Sequence, residues 1–524
     1  MYNKTIFLLK LNRGGNELKV SIEKANRKDE HLNISQNKDL LELETIFRLY
    51  IQYNNMGLHF LAGQLLPRFF DFAYKTDNIK IFADFINQDI LKLDKCNNSY
   101  KLISNDISPL LTKERKKPVI LLHIYGWLYG GMERVISLLS NHLITNYHIV
   151  ITAFPPIENS DFRLDKNIVF IPLMGDYHSD GMTRLIKLVH LLRPDVFVGN
   201  NNSIPGYADI YKTLDQNNIK TIALCHEYYF FPHNHPFLLN YAIDKNKSLS
   251  AASAVSFPTN FSAATYGLTN DNAIIMPYPN TFSTNTNNYF NPDRKNVISI
   301  GRFDDSIKRL DRMLIAFSKV LHTHPDAKLL LVGRYDLSKK IPDSSEKTVE
   351  ELIDDLSIPS ENIEFAGLVD DVSSYYKKGD IFLLTSDNEG FPLTLNEAGA
   401  NGLPCVIVDI PGLEDIIADG ENGFIVPGDD HDCFANKISL LLSDTQLRKQ
   451  MSEKAAQMTS RFDISDIGTK WEKLLDILLN EDSQEDINNK LKATFPAVIK
   501  DEKVLCKRVM KEYINYGIAA SKKL

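Results

Sequence analysis

Two carboxylates eight residues apart, Glu389 and Glu397, bracket the start of a helix-forming run in the stretch DIFLLTSDNEGFPLTLNEAGANGLPCVIVDIPGLEDIIADGENGFIVPG, residues 380–428. The helix mouth between them offers free backbone N–H groups and roughly half a positive charge, a natural seat for phosphate. Each carboxylate can accept hydrogen bonds from a vicinal diol. A ligand with a diphosphate in its middle and hydroxyl-rich sugars at both ends suits this arrangement. The chain has 67 acidic residues, so the spacing alone is common; its placement across a strand-to-helix turn carries the information.

That placement follows from local chemistry. Ile381–Leu384 is an apolar run of the length expected for a buried parallel strand. A polar turn runs from Thr385 to Gly390, and Pro392 suits the first position of a helix. Leu393 to Asn401 favour helix, Gly402-Leu403-Pro404 ends it, and Val406–Val408 is a second strand. Strand, turn, helix, strand is half a unit of a doubly wound sheet, whose ligands sit at the strands' carboxyl ends.

EGFPLTLNEAGANGLP resembles the E-x7-E signature of the retaining glycosyltransferases of family 4, which have the GT-B fold. The resemblance implies that Glu389 contacts the donor sugar and Glu397 holds the nucleotide ribose. It also implies that the backbone of Gly390, Phe391, Pro392, Leu393, Thr394 and Leu395 touches sugar and diphosphate. Pro392 stands where Gly is frequent and Asn396 where an apolar residue is usual, and neither change removes a side chain that the family uses. The fold expected is α/β: two Rossmann-like doubly wound domains facing a central cleft, preceded by an appended N-terminal region, α/β or mostly helical.

Composition bounds the classes. The 524 residues exceed one domain, and 44% apolar with 24% charged residues is ordinary for a globular protein. A net charge of −8 argues against a general nucleic-acid binder. Five scattered cysteines (96, 225, 405, 433 and 506) show no metal spacing and read as free thiols of a reducing cytoplasm. No apolar run reaches membrane-spanning length, and the start is too short in apolar residues for a signal peptide. The expectation is a cytoplasmic protein, with peripheral contact at the inner membrane face open to it.

Along the chain, four segments are expected: 1–115 appended, 116–285 a first Rossmann-like domain on the acceptor side, 286–463 a second that binds nucleotide sugar, and 464–524 a crossover helix with a basic tail. Residues 4–22 alternate as a short hairpin turning at Gly14-Gly15-Asn16, and 39–74 carry apolar residues at helical spacing. The family likeness does not cover 1–115. Packing appendage, homo-oligomer contact, acceptor docking and membrane contact are all open there.

Val119–Ile124 reads as a buried strand, then a Gly-containing loop, then an amphipathic helix from Met132 to Leu143. Gly130-Gly131 lets backbone approach a ligand, and a plain tight turn is the alternative. Neither G-x-G-x-x-G nor G-K-[ST] is present in this loop, which disfavours dinucleotide and NTPase readings. GGMERV is similar to the family's loop toward donor and acceptor. Thr221–Cys225 is a strand that ends at His226, which position favours over His233 and His235 as a cleft residue. The family likeness implies that His226 lies beside the transferred sugar.

In the second half, Val297–Ile300 is a strand followed by GRFDDSIKRLDRMLIAF, similar to the family's G-R…K-G-x-D segment, with Lys308-Arg309 where Lys-Gly is commoner. Arg302 and Lys308 at a strand's carboxyl edge can neutralise a diphosphate leaving group. Arg309 either joins that patch or lies at the surface. Gly367-Leu368-Val369 marks where the family seats the base, with Asp370 as a cap or turn residue. Asp415 stands where Glu is usual and is given no chemical role. The closing helix, Phe462 to Leu479, crosses back to the first domain in GT-B proteins. From Ile487 on, nine basic residues face three acidic ones, and Leu505, Val509 and Tyr513 stack with Cys506, Met510 and Ile514 on one expected helical face. Such a helix can lie on an anionic leaflet and, at least as often, packs on the rest of the chain.

The function these readings imply is retaining transfer of a sugar, hexosyl in type, from a nucleotide-diphosphate sugar to a hydroxyl acceptor. A UDP-sugar is the commonest donor in the family. A glycan, a lipid-linked glycan or a protein side chain would be the acceptor, in bacterial-type surface polysaccharide or glycoconjugate synthesis. No metal or further cofactor is expected, because cations and a helix mouth can stabilise the leaving group. A GT-B epimerase or phosphorylase, or a non-catalytic scaffold, are the other readings.

Overall fold

The computed structural model describes residues 7–14, 17–24, 110 and 115–511, except for 128–129, 155–162, 174–180, 201–206, 227–238, 283–289, 343–346, 497–504 and 510. Most of the appended region, His233, His235, Met510, Tyr513 and Ile514 therefore lie outside the described residues, as does the expected boundary at 285/286. The expected hairpin is β1 (Phe7–Gly14) paired antiparallel with β2 (Glu17–Lys24), Gly14 opposite Glu17.

Two parallel sheets form the body. The first has β3 (Val119–Ile124), β4 (His148–Ala153), β5 (Val169–Pro172), β6 (Val196–Gly199), β7 (Lys220–Leu224), β8 (Ala254–Phe257) and β9 (Ala273–Ile275), in the order β5-β4-β3-β6-β7-β8-β9. The second has β10 (Asn296–Ile300), β11 (Lys328–Val332), β12 (Ile363–Gly367), β13 (Ile381–Leu384), β14 (Cys405–Val408) and β15 (Gly423–Val426), in the order β12-β11-β10-β13-β14-β15. Most strands are continuous apolar runs because helices cover both faces; β3 and β13 are buried at every residue. In each sheet the order reverses once, between β3 and β6 and between β10 and β13. Ligands of doubly wound sheets bind at the strands' carboxyl ends at that reversal.

The C-terminal segment returns to the first lobe. The helix Ile464–Asn480 packs on Gly131–Leu143, where a Cβ on Gly468 would overlap the His142 ring. Glu472 accepts from Asn146 at 2.9 Å. Gln484 donates to the Ser253 carbonyl (2.8 Å), and Lys492 pairs with Asp271 (2.6 Å).

Residues 505–509 are helical as the sequence suggested, but their face divides differently. Val509 joins the first lobe's core with Leu505 against it, while Cys506 points to solvent. Arg508 forks to Asp409 (2.7 Å) and Glu414 of the second lobe. The apolar side of this turn faces protein. Among the described residues no helix is long and apolar enough to cross a membrane.

His123 in β3 is buried edge-on to the Phe154 ring and holds a pKa lowered to about 3 by desolvation. The unfolded chain then binds the extra proton below about pH 6.5, so this group's stability contribution is intact above that pH and falls as pH drops toward 3. From pH 7 to pH 5 the expected loss is about 2 kcal/mol. Urea unfolding should show that loss, and His123→Gln should remove its pH-dependent part; an equal acid loss in the variant would refute the assignment.

Candidate active site

The turn after β13 and the turn after β10 meet at the second sheet's reversal. The 3-10 turn Ser306–Lys308 is capped by Asp305, which accepts from the Ile307 N–H at 3.1 Å. It leads through Arg309, at φ +48°, into the helix Leu310–Leu321. The Lys308 side chain lies over Gly301, and its Nζ donates to Glu389 Oε1 at 2.7 Å. Ser386 Oγ donates to the same oxygen at 2.7 Å. Glu389 Oε2 has no hydrogen-bond partner among the described residues. The carboxylate is thus oriented through one oxygen and presents the other.

Glu397 sits in the helix Leu393–Ala400 and is 3% exposed. Three parts of the molecule reach it. Tyr376 OH donates to Oε2 at 2.7 Å from the second lobe, Arg134 Nη1 donates to Oε1 at 3.0 Å from the first, and Thr281 Oγ donates to Oε1 from the connecting segment. Burial and the Glu397 charge push the Tyr376 hydroxyl's pKa well above its usual range, so it stays a donor.

The helix mouth is narrower than the sequence suggests. Pro392 is the N-cap rather than the first helical residue, and Leu395 gives its own N–H to the Pro392 carbonyl (3.0 Å). The Leu393 and Thr394 amides open the helix, while the Leu395 side chain is core. Phe391 is also packed, its ring against Tyr278 and Phe462.

The first lobe approaches this mouth through its Gly pair. Gly130 caps the helix Gly131–Leu143, and a Cβ there would displace the Glu133 carboxylate. A Cβ on Gly131 would stand 2.9 Å from Leu393 Cδ1 of the other lobe. His226 follows β7, and its Nδ1 hydrogen-bonds the Tyr278 hydroxyl, which itself donates to the Cys225 carbonyl at 3.0 Å. Its Nε2 is buried without a partner among the described residues, and desolvation, then Lys245, holds the ring neutral, its pKa well below the usual value.

Lys308 and Glu389 are therefore brought into contact, and Glu397 lies eight residues on, across the helix mouth. Arg302 stands apart: it is largely exposed and pairs with Asp305 at 3.3 Å. Gly367 ends β12 at φ +69° with open space at its Cβ position, and Leu368 is 78% exposed beside it. Arg309 is neither patch nor surface. It is 5% exposed and bound to Asp311 and Asp387, because a charged group buries where carboxylates surround it. The cap of the helix Val372–Lys378 is Asp371, not Asp370. Asp415 accepts from the Asn260 N–H, a contact between lobes. Ser386, Tyr376, Thr281 and Arg134 were missed by sequence reasoning. Only Arg134, inside GGMERV, carried a signal. No group of three or more His, Cys, Asp or Glu able to hold a metal occurs among the described residues.

Residues 283–458 match the family described as glycosyl transferases group 1. An uncharacterized glycosyltransferase of Haemophilus influenzae is 27% identical over 360 residues, 66% of this chain and 96% of that protein. The N-acetyl-alpha-D-glucosaminyl L-malate synthase of Bacillus anthracis is 32% identical over 190 residues, 36% of this chain and 47% of that enzyme, so the chain spans less than half of this second relative. In fold, the chain is similar to sucrose-phosphate synthase from Thermosynechococcus elongatus (TM-score 0.57, 18% identity, 68% of this chain and 98% of that one). It is similar also to Anabaena HepE in complex with UDP (TM-score 0.56, 16% identity, 68% and 99%). The two doubly wound lobes have the GT-B fold, and the group 1 match of the second lobe together with these relatives supports a glycosyltransferase.

Proposed function

We propose that the chain is a retaining glycosyltransferase of family 4 that moves a hexosyl group from a nucleotide-diphosphate sugar, a UDP-sugar foremost, to a hydroxyl of a glycan, lipid-linked glycan or protein acceptor. Its setting would be the cytoplasmic synthesis of surface polysaccharide or glycoconjugate. The observation that carries this reading is the Lys308–Glu389 pair at the second sheet's reversal, with Glu389 Oε2 free to take a sugar hydroxyl beside a phosphate-seating helix mouth. UDP in the HepE complex, on a similar fold, supports the choice of donor.

In the reaction the anomeric C–O bond to phosphate breaks and its electron pair leaves with the diphosphate. The acceptor oxygen bonds the same face, and its proton passes to a phosphate oxygen of the leaving group. Negative charge grows on the diphosphate, so fixed donors there lower the barrier. Lys308, turning from Glu389 to phosphate, the Leu393 and Thr394 amides and Arg302 from the rim supply that charge without a metal. For Glu397 to hold the ribose, its diol must take over the bonds now made by Arg134 and Thr281.

A thermal-shift panel of UDP, GDP and ADP tests the donor site: a bound nucleotide at 100 times its Kd adds about 2.7 kcal/mol. The expected result is stabilisation strongest with UDP, followed by EDTA-insensitive transfer whose product keeps the donor's anomeric configuration by NMR. No shift with any of the three sinks the reading; an inverted product sinks retention.

A further inference from the structure

We propose that Arg309 and Asp387 are positioning residues: they brace the turn that carries Lys308 against the turn that carries Glu389. The inference rests on the reading of that pair as donor-site groups. Arg309 occupies the left-handed region, φ +48° and ψ +55°, which a residue with a side chain visits only at a cost. The resembled family more often has Gly there. Something must hold an Arg in that state.

The contacts identify what does. Arg309 Nε and Nη2 grip Asp311 at 3.0 and 2.9 Å. Its Nη1 reaches across to both oxygens of Asp387 at 3.2 Å. Arg312 Nη1 meets Asp387 again at 2.6 Å. The backbone closes the seam: the Asp387 N–H donates to the Ile307 carbonyl at 2.8 Å, and Thr385 Oγ donates to the Lys308 and Arg309 carbonyls at 3.2 and 3.1 Å. Lys308 and Glu389 are thus the free ends of two turns tied at four adjacent points. A Gly at 309 adopts the same backbone but cannot tie them.

Asp387 is the residue to change, because its side chain is 45% exposed and its loss leaves no buried carboxylate alone. Donor hydrolysis is followed with UDP-glucose, UDP-N-acetylglucosamine and GDP-mannose, and amide exchange across 385–390 is read on the same full-length protein without turnover. Asp387→Ala is expected to exchange at least tenfold faster there and to lose roughly 10- to 100-fold in kcat at nearly unchanged KM, as a displaced reacting group does. Asp387→Asn, which keeps an acceptor oxygen, should recover part of both. Arg309→Lys, a point charge unable to fork, should resemble Asp387→Ala. Unchanged exchange at 385–390, or wild-type kcat in Asp387→Ala, overturns the brace. Full turnover in Lys308→Ala sinks instead the donor-site reading beneath it, and the exchange result still decides whether the two turns are tied.

Discussion

Lys308→Ala and Glu389→Ala are each expected to abolish measurable transfer while leaving the protein folded. In the proposed site Lys308 supplies positive charge where a diphosphate would leave, and removing one such fixed donor costs on the order of 10²–10³ in kcat. Glu389 holds Lys308 at 2.7 Å and, on the proposed reading, would offer Oε2 to the sugar, so its loss removes orientation as well as a contact. Both side chains keep some exposure, and neither supports the core, so melting temperatures should move little. Glu389→Gln separates charge from shape: it retains the Ser386 bond but not the ion pair. Purified Lys308→Ala or Glu389→Ala with wild-type activity would remove the pair from the mechanism.

Gly333→Ala is the variant with the largest expected effect on stability. Gly333 follows β11 at φ +127°, where a Cβ would overlap the Gly301 carbonyl oxygen, and its N–H bonds the Gly367 carbonyl at 2.8 Å. Three strand ends, β10, β11 and β12, therefore touch backbone to backbone at one point. An added methyl meets both strain and overlap, on the order of 3–5 kcal/mol. For a body of this size that is a fall of roughly 5 °C in melting temperature. Calorimetry reads it directly, and a shift under 1 °C would show that the close approach is relaxed in solution.

Much of the fold was legible because parallel strands announce themselves as unbroken apolar runs. Val119–Ile124 and Ile381–Leu384 were bounded correctly from their apolar runs alone. The carboxylates of the site were legible too, since strand, turn and helix lie within one short stretch. What surrounds Glu397 was not. Its partners Tyr376, Thr281 and Arg134 stand 21, 116 and 263 residues away, and no local periodicity encodes such convergence. Arg309 misled for a related reason: a charged residue defaults to solvent, and only the fold brings Asp387 to it. The tail misled by pattern, because Cys506, expected on the apolar face, is exposed while Val509 is core.

The most direct measurement is a crystal structure grown with the nucleotide diphosphate that stabilises the protein most. The diphosphate should lie within hydrogen-bond distance of Lys308 Nζ and the Leu393 and Thr394 amides, with the ribose on Glu397 and Arg134 displaced from it. A nucleotide bound elsewhere, or bound while Lys308 still pairs with Glu389 and Arg134 with Glu397, would contradict the proposed site.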